Sequence, residues 1–207
     1  MERGKHIVFE GGEVAGKSTQ ARRLAARLHD EGETAVVVKE PGSTAMGAGI
    51  RELLLGNIQR NPRTNIYLFA ADRVDLAETL VKPHLSAGHW VVQDRSWWSS
   101  MAYQAGGEGV SSEEVKAVNQ LAIGGLIEPD IVFFLDIDQE ETARRFTKRE
   151  GKDYFEQKGA DFHERVRESY LAMCKELGGV AISGMGSEQE VARDVWAEVY
   201  ELFSEEV

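Results

Sequence analysis

A short glycine-rich stretch near the N-terminus constrains the fold of this chain more than any other feature. Residues 11–18 read GGEVAGKS and match the pattern G-x-x-x-x-G-K-[ST]. In such a loop the glycines let backbone N–H groups curl around phosphate oxygens, while Lys17 and Ser18 add positive charge and a ligand for Mg²⁺. A buried strand should precede the loop and a helix should follow it, because N–H groups at the helix N-terminus complete the anion site. The loop predicts binding of a nucleoside triphosphate.

The rest of the chain supplies this context by alternating short apolar runs with longer helical patterns. The runs are rich in β-branched and aromatic residues and lie at 6–9, 35–38, 90–92, 131–135 and 180–182. Runs without polar alternation are typical of strands covered on both faces. Helical spacing occurs at 18–29, at about 65–85 and in a C-terminal stretch that carries Val191, Val195 and Val199. The alternation predicts a three-layer α/β fold, in which a five-stranded parallel sheet has helices on both faces.

Length, charge and cysteine content limit the classes of protein that remain. The 207 residues fit a single domain, 1–207, of ordinary globular composition. Cys174 is the only cysteine, which excludes an internal disulfide and fits a reducing, cytoplasmic compartment. The net charge of −11 argues against nucleic-acid binding and against an anionic membrane surface. No apolar run approaches the ~20 residues that cross a bilayer, so no membrane partner is expected.

Two further features bear on the fate of the bound nucleotide. Asp94 and Arg95 follow the third apolar run, at the edge where an open α/β sheet binds its ligands. A carboxylate there can hold Mg²⁺, and an arginine can grip a phosphate. Later, five bases lie within nine residues: Arg144, Arg145, Lys148, Arg149 and Lys152. These bases form either an ordinary solvated helix face or part of a short mobile lid, at about 144–160, that closes over phosphates and excludes water.

Other classes of nucleotide-binding protein fit less well. The N-K-x-D and D-x-x-G motifs of GTPases do not occur in the sequence. A motor or helicase ATPase would carry an acidic pair at the end of a hydrophobic strand, but here Ile137 follows Asp136. A regulatory ATPase that transfers nothing to a second nucleotide remains an alternative, and it would hydrolyse ATP without regard to monophosphates.

Five segments, in order along the chain, carry a resemblance to a known family. They read FEGGEVAGKST at 9–19, KEPGST at 39–44 with RELLL at 51–55, LFAADR at 68–73, DR at 94–95 with AYQ at 102–104, and PD at 129–130 with LD at 135–136. Together they resemble the thymidylate kinase family of nucleoside monophosphate kinases. The resemblance implies a P-loop nucleoside kinase fold, ATP as phosphoryl donor, dTMP as acceptor, Mg²⁺ as cofactor and a homodimer.

The resemblance also implies roles on the donor side. The residues expected at ATP are Gly11, Gly12, Glu13, Val14, Ala15, Gly16, Lys17, Ser18, Thr19 and Arg145. Ser18 and Asp94 would ligate the metal. The residues expected to be catalytic are Lys17, Glu13, Asp94, Arg95 and Arg149. The family carries an extra arginine either in the phosphate loop or in the lid; the loop has none here, so Arg149 of the lid is the candidate.

On the acceptor side the resemblance implies a second set of contacts. The residues expected at dTMP are Glu13, Glu40, Pro41, Arg51, Phe69, Arg73, Arg95, Ser100, Tyr103 and Gln104. Phe69 would stack on the thymine, and Arg73, one helical turn later, would hydrogen-bond an exocyclic oxygen of the base. Arg51 and Arg95 would hold the acceptor phosphate, and Glu13 would lie near the sugar 3′-hydroxyl.

The chain departs from the family pattern at several of these places. Lys39 replaces the usual arginine of the R-E-P motif, and Val14 replaces a common glycine of the loop. Ser96 replaces the Tyr or His that usually follows Asp94-Arg95, and the pair Trp97-Trp98 is unusual. We expect Trp97, Trp98 and Ser100 to border the acceptor pocket. Tyr154 lies where the bacterial-type lid has an arginine. These departures leave open a kinase of the same fold that uses another deoxynucleoside monophosphate.

Overall fold

The computed structural model of the protein describes residues 2–123, 128–148 and 153–204. Within these ranges the predicted parallel sheet is confirmed. Its strands are β1 (His6–Glu10), β2 (Ala35–Lys39), β3 (Trp90–Asp94), β4 (Ile131–Asp136) and β5 (Val180–Ser183). They lie in the order β2-β3-β1-β4-β5, with all neighbours parallel. Central β1 pairs on both sides: Ile7 lies opposite Val92 of β3 and Ile131 of β4.

Helices connect the strands and cover the sheet. They are α1 (Lys17–Asp30), α2 (Ala45–Leu55), α3 (Pro62–Leu76), α4 (Lys82–Ser86), α5 (Trp97–Ser100), α6 (Ser112–Ile123), α7 (Gln139–Phe146), α8 (Ala160–Leu177) and α9 (Glu188–Phe203). Over the described ranges, none of them combines the length and apolar character that a membrane-spanning helix needs.

Apolar residues fill the space on both faces of the sheet, as the predicted three layers require. Ile7 and Phe9 of β1 pack with residues of α1 and α9, while Val8 between them packs with residues of α8. The C-terminal residues Val191, Val195 and Val199 are buried in the first of these clusters. The alternation of side chains along β1 therefore directs neighbouring residues into two separate cores.

The helical pattern predicted at about 65–85 exists, but it is not one uniform helix. A π-helical turn, Ala77–Val81, separates α3 from α4. Pro83 lacks the N–H group that a continuous α-helix would need for its bond to the carbonyl four residues earlier. It lies instead in the first turn of α4, where that N–H is not required. The wider turn lets the chain keep its direction around this defect.

A second π-helical segment, Met101–Gly107, follows α5 and carries residues expected at the acceptor. It packs closely on α8. A Cβ atom on Gly107 would lie 2.4 Å from the ring of Phe162, so only glycine permits this approach. The close packing sets the position of Tyr103 and Gln104, which belong to the same segment.

Candidate nucleotide-binding site

A cavity of about 430 Å³ opens at the carboxyl edge of the sheet, where the loop after β1 meets the ends of β2 and β3. Such an edge is the usual ligand site of an open α/β sheet. The described residues that line it are Glu13, Val14, Gly16, Lys17, Ser18, Thr19, Lys39, Glu40, Pro41, Arg51, Leu55, Phe69, Asp94, Arg95, Ser99, Tyr103, Asp153 and Phe155. One cavity therefore joins the phosphate loop to the aromatic residues predicted for an acceptor.

The loop between β1 and α1 has the geometry that its sequence predicts. Gly16, with φ of 99°, caps α1 in the left-handed region, which glycine adopts without strain. No side chain of the described residues caps this helix, so its N-terminus has the unfilled cap that favours an anion. Lys17 is buried and donates from Nζ to the carbonyl oxygen of Gly12 at 2.6 Å. Burial, with the nearby charge of Arg95, lowers the pKa of Lys17 to about 8.

Val14 holds an unusual backbone conformation within the same loop. Its φ is 53°, a value that β-branched residues rarely adopt. Arg145 of α7 donates from Nη1 to the Val14 carbonyl at 3.1 Å and from Nη2 to the Gly184 carbonyl at 2.6 Å. Glu141 accepts from Arg145 Nε at 2.6 Å and fixes the guanidinium. Arg145 thus ties α7 to the phosphate loop and to the loop after β5, on the side predicted for ATP.

Ser18 and Asp94, the two predicted metal ligands, lie in contact with each other. The Ser18 hydroxyl donates to Oδ2 of Asp94, a buried carboxylate at the end of β3. Oδ1 of Asp94 has no hydrogen-bond partner in the described part of the chain. The described residues hold no cluster of three or more His, Cys, Asp or Glu side chains. Mg²⁺ needs few protein ligands, because it keeps several waters and binds phosphate oxygens, so this oxygen pair fits it.

Glu13, Arg95 and Tyr103 form a charged group between the loop and the second π-helical segment. Arg95 donates from Nη2 to Oε1 of Glu13 at 2.6 Å, and the Tyr103 hydroxyl donates to the same oxygen at 2.7 Å. Burial alone would raise the pKa of Glu13, but the charges of Arg95 and Lys17 outweigh it and lower the pKa to about 2. Glu13 is therefore ionised at neutral pH. Arg95 itself has a φ of 72°, a strained conformation of the kind found at functional sites.

Arg73 lies behind the cavity wall and not on its surface. It is 3% exposed, and its guanidinium donates to Glu40 Oε2 at 2.9 Å, to Asn119 Oδ1 at 2.6 Å and to Ser100 Oγ at 3.2 Å. Glu40 lines the cavity and accepts from Gln93 as well. Burial raises the pKa of Glu40 to about 7, against the opposing charge of Arg73.

The other residues predicted at the acceptor divide into two groups. Phe69, Pro41, Arg51 and Tyr103 line the cavity, and Arg51 donates to the Pro41 carbonyl at 3.0 Å. Ser100 and Gln104 are buried and, like Arg73, are not among the lining residues. Each directly follows a lining residue in the sequence: Ser100 follows Ser99, and Gln104 follows Tyr103.

The two tryptophans lie elsewhere than expected. Neither is among the lining residues, so the prediction that they border the acceptor cavity is wrong. Trp98 is buried in the core and approaches Gly179, where a Cβ atom would lie 2.7 Å from the indole. Trp97 lines a separate space of about 40 Å³ with Glu40, Arg73 and Gln93. Both rings pack instead with the apolar cluster that contains Phe134 and Tyr170, Trp98 within it and Trp97 against it.

The predicted lid is described only in part. Arg149, its predicted catalytic base, lies outside the described residues, as does Lys152. Arg144 pairs with Glu141 at 2.6 Å on the surface of α7. Phe155, from the far part of the same stretch, reaches the cavity and is 4% exposed.

The sequence reasoning missed several residues of the site, among them Glu10, Asn119, Gln93 and Phe155. Glu10 accepts hydrogen bonds from Ser96, Ser99 and Tyr170 and orients the turn that carries Arg95. Asn119 and Gln93 hold Arg73 and Glu40, and Phe155 lines the cavity. A carboxylate that ends an apolar strand was a usable signal for Glu10. Nothing in the spacing of the sequence marks Asn119, which meets Arg73 only through the packing of α6 on α3.

Comparison with known proteins agrees with this geometry. Residues 9–195 match the family model described as thymidylate kinase. The chain is 40% identical over 195 residues to a thymidylate kinase of Synechococcus sp. strain JA-2-3B'a(2-13), covering 93% of each chain. It is 41% identical over 169 residues to that of Thermosipho melanesiensis, covering 82% of this chain and 83% of the relative. It is 42% identical over 175 residues to that of Clavibacter michiganensis subsp. michiganensis, covering 83% and 82%. The chain belongs to the thymidylate kinase family.

Proposed function

We propose that this protein transfers the γ-phosphoryl group of ATP to dTMP, with Mg²⁺, giving ADP and dTDP. One observation carries the proposal: a single cavity is lined both by the phosphate loop and by the aromatic residues Phe69 and Tyr103. A hydrolytic ATPase needs no such second compartment. Membership of the family supports dTMP as the acceptor that fills it.

In this proposal the protein positions two anions and balances their charge. An oxygen of the acceptor phosphate attacks the γ-phosphorus, and the bond from that phosphorus to the β,γ-bridging oxygen breaks with its electron pair leaving on ADP. Lys17 and Arg95 lower the repulsion between the phosphates. Ser18 and Asp94 hold Mg²⁺, which, when bound, neutralises further phosphate charge. Arg149 supplies the extra arginine of the family.

The acceptor half of the cavity is proposed to read the nucleotide by shape and by hydrogen bonds. Phe69 stacks on the base, and Arg73, Ser100 and Gln104, which lie behind the wall, are the polar groups proposed to recognise the base edge. Ionised Glu13 accepts a hydrogen bond from the sugar 3′-hydroxyl, supported by its depressed pKa. Arg51, Glu40 and Pro41 shape the end that holds the acceptor phosphate, and Arg145 contacts ATP. These assignments complete the set predicted from the sequence.

The test is ADP release, coupled to a colour reaction, with ATP, Mg²⁺ and a panel of dTMP, dUMP, dGMP and dAMP. Release that depends on dTMP well above the other acceptors is expected. Dependence on another monophosphate would keep the kinase and reassign the acceptor. Release without any acceptor would identify an ATPase instead and reject the proposal.

Lys17→Ala should lower the dTMP-dependent rate by about a hundredfold or more, the usual effect of removing one charge-stabilising donor. The exposed Lys175→Ala is the matched control and should keep the wild-type rate. Near-normal turnover in a folded Lys17→Ala protein would contradict the proposed mechanism.

We also propose a cytoplasmic homodimer formed through α3 and α6. Tyr67 and Val74 on α3 are 56% and 41% exposed, and Leu121 on α6 is 86% exposed. α3 packs on α6, so these apolar side chains belong to neighbouring elements of one surface. Apolar residues exposed on adjoining helices favour burial against a second copy.

A further inference from the structure

One wall of the acceptor cavity comes from residues 153–158, which we call the roof segment. Phe155 at its centre lies 6.0 Å from Phe69 and 5.7 Å, edge to face, from Tyr103, measured between ring centroids. Both of these partners line the same cavity. Three rings therefore enclose the place proposed for the acceptor base, and only Phe155 comes from a stretch without regular secondary structure.

Tyr154, the neighbour of Phe155, fastens the roof segment to the rest of the protein. Its backbone N–H donates to the Leu55 carbonyl at the end of α2, at 3.2 Å. The guanidinium carbon of Arg60 lies 4.1 Å from the centre of the Tyr154 ring, and Lys158 Nζ lies 4.4 Å from it. The hydroxyl donates to Glu108 Oε1 at 3.4 Å and accepts from Lys158 at 3.3 Å. Two cations and one carboxylate thus hold a single ring.

The partners of Tyr154 are themselves fixed, which makes this arrangement stiff. Arg60 donates to the carbonyls of Leu54 at 2.5 Å and Ile58 at 3.0 Å, and to the Asn65 side chain at 2.5 Å. Glu108 accepts from Asn65 at 3.1 Å and from Gln104 at 3.3 Å. Because Arg60 has little rotamer freedom left, its cation–π contact costs little further ordering. Glu108 therefore connects Tyr154 to Gln104, one of the residues proposed at the acceptor.

The sequence adds that Tyr154 stands where the bacterial-type lid pattern has an arginine. A tyrosine there cannot supply positive charge to the transferring phosphates. The cationic groups of Arg60 and Lys158 lie over its ring instead. Tyr154 therefore fastens the chain directly beside Asp153 and Phe155, which line the cavity.

We propose that Tyr154 is a positioning residue for the acceptor nucleotide, which acts by holding Phe155 against Phe69 and Tyr103. The inference rests on the proposed function, because it deepens the acceptor site of the same reaction. In this role, the contacts of Tyr154 determine how tightly Phe155 and the other two rings enclose the base. The proposal assigns Tyr154 no part in binding ATP or in the transfer step.

Steady-state kinetics of Tyr154→Leu and Tyr154→Phe test this role. For Tyr154→Leu we expect the KM for dTMP to rise about five- to tenfold, as for loss of one partly buried cation–π contact, while kcat and the KM for ATP change less than about twofold. Tyr154→Phe keeps the ring over Arg60 and should stay within about twofold of wild type. Tyr200→Leu, which removes an exposed tyrosine of α9, is the matched control.

A double-mutant cycle separates positioning from a general loss of packing. Phe155→Leu should raise the KM for dTMP by a similar factor, and the double variant should be no worse than the more affected single variant. Additive effects would show that Tyr154 acts independently of Phe155 and would overturn the inference. An unchanged KM for dTMP, or an equal rise in the KM for ATP, would also overturn it.

Failure of the proposed function would look different. A wild-type protein that releases ADP without dTMP would reject the kinase before any variant is measured. A wild-type protein that depends on dTMP, combined with a Tyr154→Leu variant of unchanged KM, would reject only the role of Tyr154. Should Tyr154→Leu not fold, Phe155→Leu and Tyr154→Phe provide the decision, since an unchanged KM in Phe155→Leu would leave Tyr154 nothing to position.

Discussion

Glu10 is a buried carboxylate at the last position of β1, and within the described ranges hydroxyl and backbone groups, rather than a cation, provide the hydrogen bonds to its oxygens. Its Oε1 accepts from the backbone N–H and the hydroxyl of Ser96 at 2.6 and 2.8 Å, and its Oε2 accepts from Ser99 and Tyr170 at 2.6 and 2.9 Å. The N-terminus of α5 adds favourable dipoles. One residue thus joins the central strand to α5 and α8 and fixes the turn at Arg95.

Asn119 should matter to both stability and acceptor binding through a single hydrogen bond. Asn119→Ala leaves a buried guanidinium donor of Arg73 unpaired, because the bond to Asn119 Oδ1 is 2.6 Å long. We expect a loss of about 1.5–3 kcal/mol in the free energy of unfolding and a raised KM for dTMP. Urea denaturation and kinetics measure both, with the exposed neighbour Gln120→Ala as control. An unchanged KM for dTMP would show that the hydrogen bond from Arg73 to Asn119 does not contribute to acceptor binding.

The raised pKa of Asp72 predicts that the free energy of unfolding depends on pH. Burial raises its pKa from 3.8 to about 6, although the Gly42 N–H bonds its carboxylate at 3.1 Å. Because the folded pKa is the higher one, the folded state binds more protons between these values. The contribution of Asp72 is then full below about pH 4 and is lost as the pH rises through about 6.

The matched variant is Asp72→Asn, which cannot titrate. The unfolding free energy of wild type, relative to Asp72→Asn, should fall by about 1–2 kcal/mol between pH 4.5 and 7.5. Guanidinium titrations of both proteins at these pH values give the difference directly. A difference that stays constant or rises with pH would contradict the raised pKa.

The predicted residues that line the cavity include those with a local chemical reason. The phosphate loop, Asp94 and Arg95 follow from a motif and from the ends of apolar runs. Arg73 was placed on the correct helix, but its burial depends on Asn119 and Glu40, which come from α6 and the end of β2. Contacts between elements distant in sequence leave no pattern in a single chain, so these partners could not be predicted.

At the scale of elements, α9 offers a clean test because both halves of its N-terminal cap are present. Ser187 accepts from the Glu190 N–H at 3.3 Å, and the Glu190 side chain accepts from the Ser187 N–H at 2.8 Å. Ser187→Ala should lower the free energy of unfolding by about 1 kcal/mol. Thermal or urea unfolding checks this value. Ser204→Ala at the other end of the helix should have almost no effect, and equal losses would argue against capping as the cause.

The strands were easier to predict than the helices, for a physical reason. A strand buried on both faces needs a continuous apolar run, and each of the five runs became a strand. Helical periodicity at 65–85 was real, yet it did not reveal the π-helical turn at Ala77–Val81. Pro83 was visible in the sequence, but a proline can end, kink or widen a helix, and the packing of the whole element decides which.

At the scale of the whole molecule, the sequence predicted the layers but not the order of the strands. Parallel strands joined by helices can be arranged in several ways that bury the same residues. The observed order puts β1 between β3 and β4, so the phosphate loop lies beside both Asp94 and the end of β4. This order brings the separate motifs into one cavity.

The proposed homodimer gives a prediction at the same scale. Leu121→Glu places a charge on the proposed interface and should shift the protein from dimer to monomer. Sedimentation velocity or light scattering measures the mass. Leu202→Glu on α9, where Leu202 is also exposed, is the control and should stay dimeric. A wild-type monomer, or a dimer unaffected by Leu121→Glu, would reject this interface.

The position of Trp97 outside the cavity has an experimental use. The indole N–H of Trp97 has no hydrogen-bond partner among the described residues, and the ring shares its small space with Glu40 and Arg73. Indole fluorescence responds to the charges and polarity around the ring. A change in charge on Glu40 or Arg73 should therefore change the fluorescence of Trp97, which acts as an intrinsic optical probe directly behind the cavity proposed for the acceptor.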